Sequence, residues 1–417
     1  MRSWYRNLDF PTLLIWLSLC VCGLVAIYSS THGEAQEFLL NTVQNSFQRQ
    51  LMWLGISACA LVVILMIPMH WFIRLAPLAY LATIGLLIIA LIAGREVGGA
   101  RSWVYLGPFG FQSSELAKVG SLLMSAFVLT SRMKANNTSN SALIVSGILG
   151  LPALLIILQN DLGTALVFAG FIPILWLCSG VPLRIVGLII IFPVIGYIAI
   201  LSWQLALGFT AVAGLTAWFA TRELKWATAA ALVGAITVGT ASFALQSVLQ
   251  PHHVARIVSF SNPEADEYRA GVGFHLVQSK AALGSGGWLG QGFLQGSQTQ
   301  GRYIPEQSTD FVFSVIGEEW GFVGGGLILL LFTILMLRLT WLAKRIDHPF
   351  GSLLAAGAAG IFLIHVCVNL GMVLGLLPVI GIPLPFLSYG GSALLTNTVL
   401  LSLALGAYMR RADFVLY

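Results

Sequence analysis

PEQSTDFVFSVIGEEWG, residues 305–321, closes a long polar stretch and opens a hydrophobic one, and its reading decides the fold. Glu306, Asp310, Glu318 and Glu319 all fall within it, in a chain with only 16 acidic residues among 417. The residues that follow, FVGGGLILLLFTILML (322–337), carry no charge. This junction is therefore a place where water meets lipid. A carboxylate at the mouth of a membrane helix is costly unless it is paired, hydrated or put to use. The plain reading of Asp310 is a helix N-cap facing the positive end of the dipole; the sharper reading is a reactive group.

Composition supports the membrane reading along the whole chain. Hydrophobic residues make up 58% and charged residues 9%, against about 25% charged in a soluble domain. An open sheet cannot satisfy its backbone in lipid, and the apolar runs are too long for barrel strands, so the expected fold is an all-α polytopic membrane protein. The net charge of +5 is spread one or two residues per loop, without the cluster that tracking nucleic-acid phosphates requires. All five cysteines lie inside apolar runs without metal-ligand spacing and read as small apolar packers. No small-residue cleavage site follows the first apolar run, which reads as a retained span.

The apolar runs predict spans near 11–29, 51–67, 75–93, 115–129, 142–158, 162–178, 185–201, 205–220, 227–245, 311–337, 353–374 and 393–408. Each is close to the ~20 residues that cross a bilayer. The expectation is a bundle of 10–12 transmembrane helices forming one integral membrane domain over 1–417. It carries large extracytoplasmic loops, chiefly 246–310, and an apparent extra hairpin at about 185–220. Thirteen of the 21 basic residues fall in one set of short loops and ends, which places both termini in the cytoplasm. Twelve of the 16 acids then fall outside or at the outer membrane face. Chemistry is expected on that face.

Several outer segments carry groups suited to chemistry. GREVGGARSWVYLGPFGFQSSELAK (94–118) combines glycines with Arg101 and Trp103 and starts a helix on which Glu115 and Lys118, three apart, share a face and can pair. The bland alternative is an aromatic-belt Trp103 and a structural ion pair. Asp161, in QNDLGT (159–164), is either a plain N-cap or a site group. The loop 246–309 holds His252, His253, Arg256 and Lys280, with a Gly-Ser-Gly-Gly run at 284–287 that permits close backbone approach to a ligand. That run lacks the strand and helix context of nucleotide folds. The adjacent histidines make a poor metal pair. LLPVIGIPLPFLSYGGS (376–392), with three prolines, cannot be a regular helix. At membrane depth it is tolerated only when packed on protein or facing a wet cavity.

Taken in order, GARSWVYLGPFGFQSSELAK, QNDLGTAL, NPEADEYRAGVGFHLVQSKAALGSGGWLGQG, PEQSTDFVFSVIGEEWGFVG and GIPLPFLSYGGSAL resemble the SEDS family (shape, elongation, division and sporulation), in particular its rod-shape branch. The resemblance implies a peptidoglycan glycosyltransferase of the bacterial cytoplasmic membrane. Such an enzyme polymerises lipid II, an undecaprenyl-pyrophosphate disaccharide-peptide, on the outer face during cell elongation. Its implied partners are a class B penicillin-binding protein that crosslinks the strands and other elongation-complex proteins. The family's essential aspartate falls on Asp310, its outer-loop tryptophan on Trp103, its helix-start pair on Glu115 and Lys118, and its Asp-Leu-Gly-Thr aspartate on Asp161. Family members usually have ten spans; the surplus here lies between 185 and 245, where two added crossings cancel.

A pyrophosphate-linked donor sugar is already activated, so the site needs a base for the acceptor hydroxyl and positive charge for the departing pyrophosphate. Asp310 is the expected base. Arg101, Lys118, Arg256 and Lys280 are the expected pyrophosphate groups. No cofactor is expected to be tightly bound; a divalent cation, magnesium or manganese, supplied by solvent is the open option, with no ligands assigned. Two other classes compete. A lipid II flippase fits a twelve-span bundle with intramembrane charge and broken helices, but no internal repeat relates the halves and the polar groups gather on one face. A scaffold that only recruits the crosslinking partner would tolerate replacement of Asp310.

Overall fold

In lipid every backbone amide and carbonyl must find a partner inside the protein, and a helix supplies its own. The computed structural model, which describes residues 7–32, 45–107, 109–133, 138–247 and 272–411, answers that demand with helices. Twelve of them are 17 residues or longer among the described residues: α1 Phe10–Thr31, α2 Ser46–Met66, α3 Met69–Ala93, α4 Ser113–Met133, α5 Thr138–Leu158, α6 Leu162–Cys178, α7 Leu183–Leu201, α8 Trp203–Thr221, α9 Leu224–Ser247, and later α13 Gly321–Arg345, α14 Pro349–Val373 and α15 Gly391–Met409. Each predicted span falls within one helix or overruns its end by a single residue, with one exception described below. Among the described residues, seven helices are long and apolar enough to cross a membrane. The chain is a multi-pass membrane protein.

Shorter elements lie between them: α10 Val272–Gly286, the single turn α11 Ser297–Gln300 and α12 Val312–Glu319. A small antiparallel sheet joins α3 to α4, with strands β1 Arg95–Val97, β2 Ala100–Leu106 and β3 Phe109–Gln112 in sequential order. Its first turn is Gly98-Gly99, both at positive φ (62° and 86°), as a two-residue hairpin turn requires.

Residues 180–277 form a compact unit of their own. Within it α7, α8 and α9 pack on one another through small residues: Gly234 lies against the Thr210 side chain and Gly196 against Thr237. A single residue, Ser202, ends α7 and caps α8.

The other unit comprises residues up to 179 and from 278 onward. Its most enclosed long helices are α14 and α15. Gly357 and Gly360 admit Leu122 of α4 and Ile174 of α6 against α14. Gly23 of α1 meets the irregular segment after α14 so closely that a methyl group there would sit 2.6 Å from the Leu387 carbonyl oxygen.

The exception is the expected span 311–337. The structure splits it at Trp320–Gly321 into α12 and α13, with Gly321 at φ 64°. The cause lies thirty residues upstream. The backbone at Trp288 and Gly290 occupies the space where a side chain at 321 would go. Phe322 and Val323 amides donate to the Gly287 and Trp288 carbonyls at 2.9 and 3.1 Å, and Gln291 and Gly292 amides return bonds to the Glu318 and Glu319 carbonyls at 2.9 and 3.0 Å. The inserted glycine loop thus replaces the helix's own bonds at the break.

At the opposite end of this unit from the sheet, Asp9 caps α1, accepting from the Thr12 amide at 3.3 Å and from Arg338 Nε of α13 at 3.1 Å. Burial pushes its carboxyl up, but the Arg338 guanidinium and Thr12 outweigh burial and hold it below the usual carboxylate range. Asp9→Ala removes a cap and a charge-assisted bond and should cost roughly 1–2 kcal/mol at neutral pH. A carboxyl lowered on folding stabilises above its unfolded value, and the gain disappears as pH falls through the folded one. Thermal unfolding in detergent should therefore separate wild type and variant at neutral pH and converge in acid; a constant difference across that range would refute the assignment.

Candidate functional site

Asp310 is not the helix cap that its position suggests: Phe311 is the N-cap of α12 and makes no side-chain capping bond. Asp310 sits one residue earlier, half-buried, at the end of a tight turn in which Glu306 takes φ 50°. That turn is fixed from three sides. Gln307 Nε2 donates to the Ser30 carbonyl of α1 at 3.0 Å, the Tyr389 amide donates to the Ser308 carbonyl at 2.8 Å, and Asn369 Nδ2 of α14 donates to the Asp310 carbonyl at 2.8 Å. Asn369 Nδ2 also reaches the Ile382 carbonyl at 2.6 Å, joining the turn to the proline-rich segment. There Gly381, at φ 82°, lies so close that an added methyl would stand 3.1 Å from Asp310 Oδ2.

Asp310 lines a cavity of about 680 Å³ together with Arg49 and Trp53 of α2, Trp103, Tyr105 and Gln112 of the sheet, Glu115 of α4 and His365 of α14. Residues 381–383 and 389–393 complete its wall. A cavity of this size, part apolar and part polar, suits a small-molecule ligand of some bulk. Gln50 brackets the second segment, its amide donating to the Ser388 carbonyl and accepting from the Gly390 amide, both at 3.2 Å.

Glu115 and Lys118 do pair, at 2.7 Å, with each residue 2% exposed. Lys118 Nζ also lies 2.9 Å from His365 Nε2. Glu115 Oε1 takes the lysine, whereas Oε2 is buried with no hydrogen-bond partner. Asp161 caps α6 and is saturated: it accepts from the Thr164 amide and hydroxyl at 3.1 and 3.0 Å, from Gln112 Nε2 at 2.9 Å and from the Ser114 hydroxyl at 3.1 Å. It is not itself in the cavity wall, but its partners Gln112 and Thr164 are.

The expected pyrophosphate groups fare differently. Arg101 is exposed and pairs at 3.6 Å with Glu96, also exposed, outside the cavity. Lys280 lies on the exposed face of α10 and does not line the cavity either. Arg256, like His252 and His253, lies outside the described residues. Lys118 is committed to Glu115 and His365. Among the described residues, Arg49 is the one arginine or lysine in the cavity wall. Sequence reading missed it because it stands in no notable motif. It also missed His365, although an ionisable residue inside an apolar span is a functional signal in its own right. No three His, Cys, Asp or Glu residues converge to hold a metal ion among the described residues.

With this geometry in place, likeness to known proteins can be stated. The chain matches the family described as "Cell cycle protein", that of FtsW, RodA and SpoVE, over residues 11–210 and 204–412. It is 33% identical to the peptidoglycan glycosyltransferase RodA of Treponema pallidum over 97% of this chain and 98% of that one. It is 31% identical to the peptidoglycan glycosyltransferase MrdB of Escherichia coli over 93% and 90% of the two chains. Its fold resembles a chain in a solved structure described as "Structural coordination of polymerization and crosslinking by a peptidoglycan synthase complex", with TM-score 0.66 and 27% identity over 97% of this chain and 98% of that one.

The buried ion pair gives a stability test. Lys118→Met leaves the Glu115 carboxylate buried and unpaired and should cost roughly 3–5 kcal/mol. The double variant Glu115→Gln, Lys118→Met removes both charges and should recover most of that loss in thermal unfolding. Equal destabilisation in both proteins would show that charge pairing is not what Lys118 contributes.

Proposed function

The chain belongs to the FtsW, RodA and SpoVE family of cell cycle proteins, and from that premise we propose that its cavity is a glycosyl-transfer site in which Asp310 is the general base. The protein is a peptidoglycan glycosyltransferase, polymerising lipid II into glycan strands. One observation carries the site assignment: Asp310, Trp103, Glu115 and Arg49, drawn from four separate parts of the chain, line one cavity.

The reaction makes one bond and breaks one. The acceptor sugar's 4-hydroxyl gives its proton to the Asp310 carboxylate as its oxygen attacks the donor's anomeric carbon. The bond from that carbon to pyrophosphate breaks, and the polyprenyl pyrophosphate departs with the electron pair. A single displacement inverts an α-linked donor to a β-glycosidic product, so one carboxylate suffices and no covalent enzyme intermediate forms. The departing pyrophosphate needs positive charge. We assign that role to Arg49, whose guanidinium can take two phosphate oxygens at once, in place of Arg101 and Lys280. Trp103 offers an apolar face to the sugar. A magnesium or manganese ion, where one takes part, would enter with the pyrophosphate. A class B penicillin-binding protein in the bacterial cytoplasmic membrane is the proposed partner, supported by the likeness to a chain of a peptidoglycan synthase complex.

The test is polymerisation of purified lipid II in detergent, where no second compartment exists and carriage across a membrane cannot register. Asp310→Asn should insert and fold but lose about 10²–10⁴-fold in rate, the usual contribution of a positioned base. Arg49→Gln should lose about 10–100-fold, the loss expected for one charge-assisted phosphate contact. Normal polymer yield from Asp310→Asn, with or without the crosslinking partner, would end the base assignment.

A further inference from the structure

His365 and Asn369 stand one turn apart on one face of α14, and both hold the proline-rich segment that backs Asp310. His365 is 2% exposed. Its Nδ1 lies 3.1 Å from the Pro383 carbonyl oxygen and its Nε2 2.9 Å from Lys118 Nζ. A carbonyl can only accept and an ammonium can only donate. The ring between them is therefore a neutral imidazole in one tautomer, Nδ1–H donating to Pro383 and Nε2 accepting from Lys118.

That tautomer has consequences on both sides of the ring. On one side it gives the Lys118 ammonium a second acceptor, so the lysine is shared and binds Glu115 through Oε1 alone. Glu115 Oε2 is left in a residue that lines the cavity, buried and without a hydrogen-bond partner. An acceptor left unmade at that depth is costly until a ligand supplies a donor. On the other side, the bond to Pro383 holds the turn whose Gly381 abuts the Asp310 carboxylate. One side chain thus sets two walls of the cavity.

We infer that His365 is a positioning residue for glycosyl transfer: it holds Lys118 so that Glu115 Oε2 faces a hydroxyl or amide N–H of the bound sugar, and it holds the 381–383 turn against Asp310. The inference rests on the glycosyl-transfer reading above. His365 does not touch the reacting atoms; it acts through Glu115 and through the turn.

Two variants and two measurements test it. Glutamine at 365 can donate its amide to Pro383 and accept from Lys118 through its carbonyl, whereas leucine fills the space and does neither. With lipid II as substrate, at a temperature where thermal unfolding shows every variant folded, His365→Leu should lose about a hundredfold in kcat, the scale of loss for a small misplacement of reacting groups. KM should change little, and His365→Gln should recover most of the rate. Full activity in His365→Leu, or equal losses in both variants, would overturn the inference. The second measurement does not depend on turnover. In protein labelled with 15N-histidine, the signal absent from His365→Gln should report a neutral ring protonated at Nδ1 near neutral pH. A ring protonated at Nε2, or at both nitrogens, would overturn the placement. A wild-type chain that forms no polymer counts against the glycosyl-transfer reading, while the ring signature still decides His365.

Discussion

Backbone that leaves the helix inside a membrane protein must have its amides and carbonyls met by other groups, and this site is built from side chains that do so. The turn before α12 and the segment after α14 are both irregular, and both line the cavity. Their polar atoms are met by Asn369, His365 and Gln50, which reach from helices, and Gln307 of the turn itself donates to the Ser30 carbonyl of α1. Ser388 adds a bond from within its own segment, its hydroxyl accepting from the Leu384 amide at 2.8 Å. Leaving one such group unmet costs about 1–3 kcal/mol. The non-helical shape that presents Asp310 therefore persists only while the clamps are intact.

The same bookkeeping of partners sorts the acids. Glu318, fully buried, accepts from the Gln298 and Thr299 amides at 2.7 and 2.9 Å and from the Thr299 hydroxyl at 2.6 Å, which fixes the loop at α11. Asp161 accepts four bonds and orders the start of two helices. Glu115 gives one oxygen to a lysine and leaves the other buried without a partner. A carboxylate whose oxygens already accept several bonds is committed to holding the fold, whereas one with an unpartnered oxygen can still accept a bond from a ligand's donor. Sequence alone shows four acids in 305–321; their differing roles depend on which donors the fold brings to each.

Legibility followed the range of the forces involved. Helix lengths come from local apolar runs, so each of the long helices was readable. The break at Gly321 was not, because the loop at 287–290 causes it and nothing near 321 announces that contact. The sheet at 95–112 hid in a glycine-rich stretch read as loop. Motifs marked Trp103, Glu115 and Asp310, which the fold brings to one cavity, whereas Arg101 and Lys280 were assigned to pyrophosphate on loop membership alone. Three dimensions place Arg101 against Glu96 in solvent and bring Arg49 to the cavity instead. His365 was within reach of the sequence: a titratable ring in an otherwise apolar span asks for a partner, and Lys118 is that partner.

As the proposed base, Asp310 needs no second carboxylate. Asn369 holds it by its main-chain carbonyl, so the clamp that fixes its position does not consume the side chain. A side chain at Gly381 would put its first carbon 3.1 Å from Asp310 Oδ2, so glycine leaves room beside the carboxylate. Position set through the peptide, with room left beside the carboxylate by a neighbouring glycine, would place the proposed base before the substrate arrives and leave little reorganisation for the moment of reaction. Since the donor carries its own leaving group, placement of this one base and of a cation for the pyrophosphate is most of what the protein must add. The buried α14 supplies the clamp for the first through Asn369, and α2 carries Arg49 for the second.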